Sequence, residues 1–341
     1  MTRYEIKVSS LEHNINEVKR RAGVPVWGVV KFDGYSMGLE FMAKLLVKNG
    51  IDRLAVVEPK EALSLRNAGI TGDILLLRPL AEDSEIKRMI EENVILAVGS
   101  EEYLQRVSKT AEAMNKTARI HIKIDTGFNR YGYKSGEYES VCKAYKTPFV
   151  RAEGIMSHFS SAFRSEETTR AQYDEFVSLL KKLKEDSIDR GMAHISNSAA
   201  IYCYDDMRLD AVRVGSAFLG RVAAKHEDAK RLERVGILKS EIVSIKELKQ
   251  GEKLGYGGKA QTEKDTLSAV VPFGLRDGLN SDMVYAMVKT KSTLTKAPLL
   301  GAPSTGHVIL DITDTDANVG DEVRVDFNPL FLNPLVEKKY L

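Results

Sequence analysis

Short apolar runs recur along the chain at V-W-G-V-V-K (26–31), R-L-A-V-V (53–57), D-I-L-L-L (73–77), V-I-L-A-V (94–98), R-I-H-I-K-I-D (119–125), E-G-I-M-S-H-F (153–159), A-H-I-S-N (193–197) and A-V-R-V-G (211–215). The segments between them, such as G-L-E-F-M-A-K-L-L-V-K-N-G and A-Q-Y-D-E-F-V-S-L-L-K-K-L-K, place apolar residues at helical spacing. A further helix is expected in L-E-H-N-I-N-E-V-K-R-R-A, capped by Ser9 or Ser10 and ending in basic residues that suit a helix C-terminus. Eight strand-like runs separated by helices predict an α/β fold, a (β/α)8 TIM barrel, since parallel strands need crossover helices and closure removes both sheet edges. A doubly wound open sheet is the alternative topology.

From about residue 236 the pattern changes to alternating strand signals set close together: S-E-I-V-S-I-K-E-L, L-S-A-V-V-P-F, M-V-Y-A-M-V-K-T, H-V-I-L-D-I-T-D and D-E-V-R-V-D-F. This predicts a smaller, mostly-β C-terminal domain over residues 239–341, after a barrel over residues 1–238.

Composition narrows the function classes. Fifty basic residues face 48 acidic ones, a balance that gives no electrostatic case for nucleic acid or an anionic membrane and suits a small, neutral or zwitterionic partner. Two cysteines without metal-ligand spacing point to a reducing cytoplasm and to no structural metal. The start M-T-R-Y-E-I-K-V is charged and alternating, so neither a signal peptide nor a membrane span is expected.

In a barrel, catalytic groups gather at the C-terminal strand ends. There the sequence places Lys31 after the first strand, Asp125 to Arg130 after the fifth, His158 at the sixth, Asn197 and Ser198 at the seventh, and Arg213, Gly215 and Ser216 at the eighth. Any one of these alone reads as an ordinary core or surface residue; their coincidence on one rim is what carries weight. Small, donor-rich pieces after the last two strands suit a phosphate. A lysine across the mouth from them suggests pyridoxal 5′-phosphate, whose aldehyde needs a desolvated, nucleophilic amine.

The stretch V-V-K-F-D-G-Y-S-M-G resembles the lysine motif of the alanine racemase family, usually V-V-K-A-N-A-Y-G-H-G. The resemblance continues through K-I-D-T-G-F-N-R-Y-G, G-I-M-S-H-F, S-N-S-A-A, V-R-V-G-S-A-F-L-G-R, L-G-Y-G-G, E-K-D-T-L-S-A-V-V-P-F-G-L-R-D-G and V-G-D-E-V, in the family's order. It implies a fold-type III enzyme with a cofactor-binding barrel, a β domain, and a homodimer with shared sites.

By that resemblance Lys31 carries the cofactor and is the base on one face of the substrate, and Tyr256 of the second copy is the base on the other. Arg213 faces the pyridine nitrogen and keeps it unprotonated, which restricts side reactions such as transamination; His158 hydrogen-bonds Arg213. Arg130 meets the substrate carboxylate, supported by Lys123, a position carbamylated in some members. Tyr35, Ser198, Gly215 and Ser216 take the phosphate, with Asn197 beside them.

The chain departs from the family in two places. Thr305 and Gly306, in L-G-A-P-S-T-G-H-V-I-L-D, stand where a Met-Asp pair usually lines the substrate side, and the sequence after V-G-D-E-V is shorter than is usual. The expected activity is thus amino-acid racemisation with alanine as the default substrate and serine or a larger amino acid as the alternative. A non-catalytic protein that handles the vitamin on a similar barrel is a further reading, against which the β domain and Tyr256 speak.

Overall fold

A computed structural model describes residues 2–224, 226–279 and 283–341. It divides into two compact units, Ser10–Arg234 and Met1–Ser9 with Val235–Leu341. The chain enters the second unit twice, a feature that the single expected boundary near Leu238 does not include.

The first unit is an eight-stranded parallel barrel. Its strands are Val26–Val29, Arg53–Val56, Ile74–Leu76, Ile95–Val98, Ala118–Asp125, Val150–Met156, Met192–His194 and Val212–Val214. Each pairs with the next in sequence, the eighth pairs with the first, and a parallel bridge from His194 to Ala211 joins the seventh to the eighth. All eight coincide with the apolar runs of the sequence. Trp27, Val29, Ala55, Leu75, Ile95, Ala97, Met156 and Ala211 form one buried cluster.

The helices between strands carry their apolar stripes as expected. In Val8–Ala22 the buried positions Leu11, Ile15, Val18 and Ala22 recur at helical spacing, and Lys19, Arg20 and Arg21 occupy the last turn. This helix begins before Ser9, so neither serine caps it; Ser10 instead donates its hydroxyl to the Glu233 carboxylate.

The second unit is built from sheets whose strands pair antiparallel except at one edge. Arg3–Ile6 lies between Gly236–Glu241, antiparallel, and Glu337–Tyr340, parallel. The sheet continues through Glu322–Val325, Tyr285–Lys289 and Leu294–Pro298. A second sheet joins Ser244–Leu248, Thr266–Val271 and Val308–Asp311. A small hairpin pairs Lys253–Leu254 with Ala260–Gln261, and its turn holds Tyr256 between Gly255, Gly257 and Gly258, all at positive φ. That requirement explains the glycines of L-G-Y-G-G. Among the described residues, no helix is long and apolar enough to cross a membrane.

Candidate active site

The polar strand ends surround one cavity of about 710 Å³, lined entirely by the barrel unit. Lys31, Tyr35, Lys123, Arg130, His158, Asn197, Ser198, Arg213, Gly215 and Ser216 all line it. The two remaining candidates belong to the other unit. Tyr256 is 85% exposed at its hairpin turn, and Thr305 is exposed on a loop whose backbone carbonyl accepts from the Arg276 N–H.

Lys31 opens an unusual piece of backbone. Phe32, Asp33, Gly34, Tyr35 and Ser36 all have φ between 55° and 66°, so the chain makes a left-handed helical turn although only one of the five is glycine. Such residues cost about 1–2 kcal/mol each, and strain of this kind persists only where the surroundings hold it. Here the Gly34 N–H donates to Val30, that of Ser36 to Phe32 and that of Gly38 to Asp33, and the Asp33 carboxylate accepts from the Leu39 N–H. One helical turn apart, Lys31 and Tyr35 share a face and both reach the cavity, while Phe32 between them is half-exposed.

Charge in the cavity is of one sign. Lys31, Arg78, Lys123, Arg130, Arg213 and Arg221 line it, and no aspartate or glutamate does. Burial, with Arg130 adding to it and Glu61 opposing, pushes the Lys31 ammonium below the ordinary lysine range. Lys123 is 4% exposed and donates to the Ile124 carbonyl; burial, then Arg213, brings it down to about 7, so it is partly neutral at physiological pH. Arg130 lies over the Phe128 ring at 4.3 Å, and its charge also touches Tyr131 at 5.7 Å.

Arg213 is buried with no carboxylate partner among the described residues. Its guanidinium donates to the carbonyls of Ser157 at 2.6 Å and His194 at 3.2 Å, and to Nδ1 of His194 at 2.6 Å and of His158 at 3.1 Å. Burial, with Arg130 nearby, lowers it only to about 10, so it stays charged. A guanidinium offers only donors, so both histidine Nδ1 atoms must accept. Both rings are accordingly neutral, held well below the usual histidine range by burial and then by Arg213. The proton of His194 then sits on Nε2 and is donated to Nδ1 of His121, 2.9 Å away. Trp27 stacks on His194 at 5.9 Å and meets His121 edge-on at 5.4 Å.

His158 is among the residues expected from the sequence, whereas His194 and His121 are not. The signal for His121 lies in I-H-I-K-I-D, whose strict alternation puts His121, Lys123 and Asp125 on one face of the strand and Ile120, Ile122 and Ile124 on the other.

Elsewhere on the cavity wall, the Ser198 hydroxyl oxygen accepts from the N–H groups of Gly215 at 3.1 Å and Ala217 at 3.4 Å, which leaves its own proton to be donated. Just ahead of the short helix Ala200–Cys203, the Asn197 side-chain carbonyl accepts from the N–H groups of Ala199 and Ala200. Gly215 leaves a hollow that a side chain would close: a Cβ there would stand 2.3 Å from the Tyr35 hydroxyl. Donors gathered around a glycine-made hollow at one end, a depressed lysine elsewhere on the wall and a buried cation fit pyridoxal phosphate.

Comparison with known proteins agrees with this geometry. The family profile "Alanine racemase, N-terminal domain" matches residues 6–222, and "Alanine racemase, C-terminal domain" matches residues 235–327. The chain is 34% identical over 329 residues to an alanine racemase of Methanococcus maripaludis, covering 94% of this chain and 87% of that one. It is 34% identical over 327 residues to an alanine racemase of Clostridium tetani, covering 94% and 84%. Among solved structures, the alanine racemase of Clostridium difficile 630 superposes with a TM-score of 0.88 at 29% identity, covering 100% of this chain and 95% of that one.

Proposed function

The chain belongs to the alanine racemase family, whose members are isomerases, and from that premise we propose that it interconverts the L- and D-forms of a small amino acid with pyridoxal 5′-phosphate. The observation that supports this most directly is the cavity wall: six basic side chains and no acidic one, suited to a ligand that brings a phosphate and a carboxylate together. Bound there, pyridoxal phosphate would supply an electron-withdrawing ring that takes up the charge left when a proton departs from the substrate α-carbon.

In this reading the chain's own residues divide the work. Ser198, Gly215, Ser216, Tyr35 and Asn197 hold the phosphate end. Arg213 would donate to the ring nitrogen without giving up its proton, steadied by neutral His158 and His194. Arg130 takes the substrate carboxylate. Lys31 would hold the cofactor and, once its amine is freed by the substrate's own amine, would move the α-proton on one face of the substrate. Tyr256, supplied by a second copy of the chain in a homodimer, moves it on the other face, since inversion needs removal from one side and return from the opposite one.

Alanine is the default substrate by kinship. Thr305 and Gly306, in place of the family's usual Met-Asp pair, favour admission of serine or a larger side chain as well. The test is proton NMR of the cofactor-loaded protein in deuterated water with a panel of L- and D-amino acids, following the α-proton and chirality together. Exchange with inversion on one substrate supports the proposal and names the amino acid. Cofactor binding to Lys31 with no exchange on any of them would favour the vitamin-handling reading.

A further inference from the structure

Glu61 takes no part in the roles above. It lies in the first turn of the helix Pro59–Asn67, where a glutamate three residues after the N-cap Glu58 normally closes a capping box by reaching back to backbone N–H groups. One of its oxygens does that, Oε2 accepting from the N–H groups of Val57 and Glu58 at 3.0 Å each. Its other oxygen, Oε1, accepts at 2.6 Å from the N–H of Phe32, the residue that follows Lys31. Glu61 is 6% exposed, so its carboxyl group is buried against three backbone donors.

We propose that Glu61 is a positioning residue for Lys31: its carboxylate ties the left-handed turn to the end of the second barrel strand and thereby fixes where the lysine amine stands in the cavity. This rests on the reading of Lys31 as the cofactor's lysine. Phe32 is the first left-handed residue after Lys31, and its N–H bond is a cross-link from this turn to a neighbouring element. Both anchored strand ends are cavity wall, since Val57 and Lys31 line it. The carboxylate also favours the charged form of Lys31 against the opposing influences of burial and Arg130.

Glu61→Gln separates the two ends of the side chain. A carboxamide has one accepting oxygen, which will go to the two donors of Val57 and Glu58, so the –NH₂ faces the Phe32 N–H and that bond is lost. A second variant replaces the Phe32 amide by an ester, which exchanges that N–H for an oxygen and leaves the carboxylate and its helix cap in place. Two readouts are compared with the wild type. The first is the rate at which cofactor joins Lys31, amine and aldehyde combining with loss of water, counted by mass spectrometry after borohydride reduction. The second is the pH profile of Lys31 acylation in cofactor-free protein.

Attachment is expected to slow in both variants by about tenfold or more, the factor for losing one hydrogen bond to a charged acceptor. The acylation midpoint should fall in Glu61→Gln and stay in place in the ester, because only the former loses the charge. A cap-only role would leave the ester at the wild-type attachment rate, and that result overturns the proposal, as does an unmoved midpoint in Glu61→Gln. Should Glu61→Gln fail to fold, the ester variant decides alone. Failure of the wild type to attach cofactor would sink the cofactor reading instead, and the acylation profile would still judge Glu61.

Discussion

Gly215→Ala is the sharpest probe of the hollow proposed to take the phosphate. The added Cβ would lie 2.3 Å from the Tyr35 hydroxyl oxygen and 2.5 Å from Cε2 and Cζ of its ring. Ordinary carbon contacts begin near ~3.5 Å, so the two groups must separate by roughly 1 Å. The Tyr35 backbone is held in the left-handed turn at φ 56°, so its ring must turn aside or the Gly215 segment must shift. Overpacking of this kind costs about 1–3 kcal/mol. The assay is urea unfolding of the cofactor-free protein followed by fluorescence of its single tryptophan, Trp27, which is 1% exposed in the barrel interior. A double-mutant cycle locates the clash: Gly215→Ala should cost about 1–3 kcal/mol in the wild type and about zero in a Tyr35→Ala background. Gly136→Ala, where a Cβ meets nothing within 4 Å, should stay within about 0.5 kcal/mol. An equal cost of Gly215→Ala in both backgrounds would refute the reasoning, because the strain would then not lie between these two groups.

Three further outcomes are expected. His121, brought down to about 3 by burial, and His158 and His194, well below their usual range, are neutral in the folded protein, whereas the unfolded chain takes up their protons below about pH 6.5. Stability should therefore fall from pH 6.5 to pH 5, by up to about 1.4 kcal/mol per pH unit for each ring, and urea midpoints independent of pH over that range would contradict their neutrality. Tyr256→Phe should slow α-proton exchange from one enantiomer far more than from the other, as read by NMR in deuterated water; equal slowing would end the assignment of Tyr256 as one of two bases. Thr305→Met, which restores bulk usual in the family, should lower kcat/KM for serine relative to alanine by about tenfold or more, on the scale of one or two methylenes in a pocket; an unchanged ratio would remove Thr305 from the question of specificity.

Much of this architecture was legible because it rests on local patterns. The barrel strands announce themselves as Val, Ile and Leu runs, and the rule that sites gather at strand ends then groups residues nearly two hundred positions apart. Of the strands that were not legible, three show the physical reasons. Arg3–Ile6 finds its antiparallel partner more than two hundred residues later, Leu294–Pro298 ends in proline, and E-K-K-Y at Glu337–Tyr340 is charged in the manner of a sheet edge. Their pairing, not their propensity, makes them strands. The left-handed turn was hidden because F-D-G-Y-S offers one glycine where five residues take positive φ. Glu61 was hidden because a capping glutamate and one that also reaches a neighbouring loop are the same letter at the same spacing.

The histidines bring the electrostatics of the site together. A buried guanidinium without a carboxylate would ordinarily be a serious cost, yet Arg213 has five acceptor contacts, to Ser157, His158, His194 and Ile195. Every one of these acceptors is uncharged. Had one been an aspartate, the cation would be neutralised within the wall, and an electron-poor ring set against it would meet a pair with little net field. Neutral histidines satisfy the hydrogen bonds and leave the positive charge uncompensated for whatever enters the cavity. The same logic runs through Lys123, which lies among cations and is brought near neutrality by burial so that it does not simply add another full charge. The barrel interior therefore holds donors in fixed directions while the balancing negative charge is left to the ligand, which is the arrangement expected of a site that recognises an anion and tolerates little else.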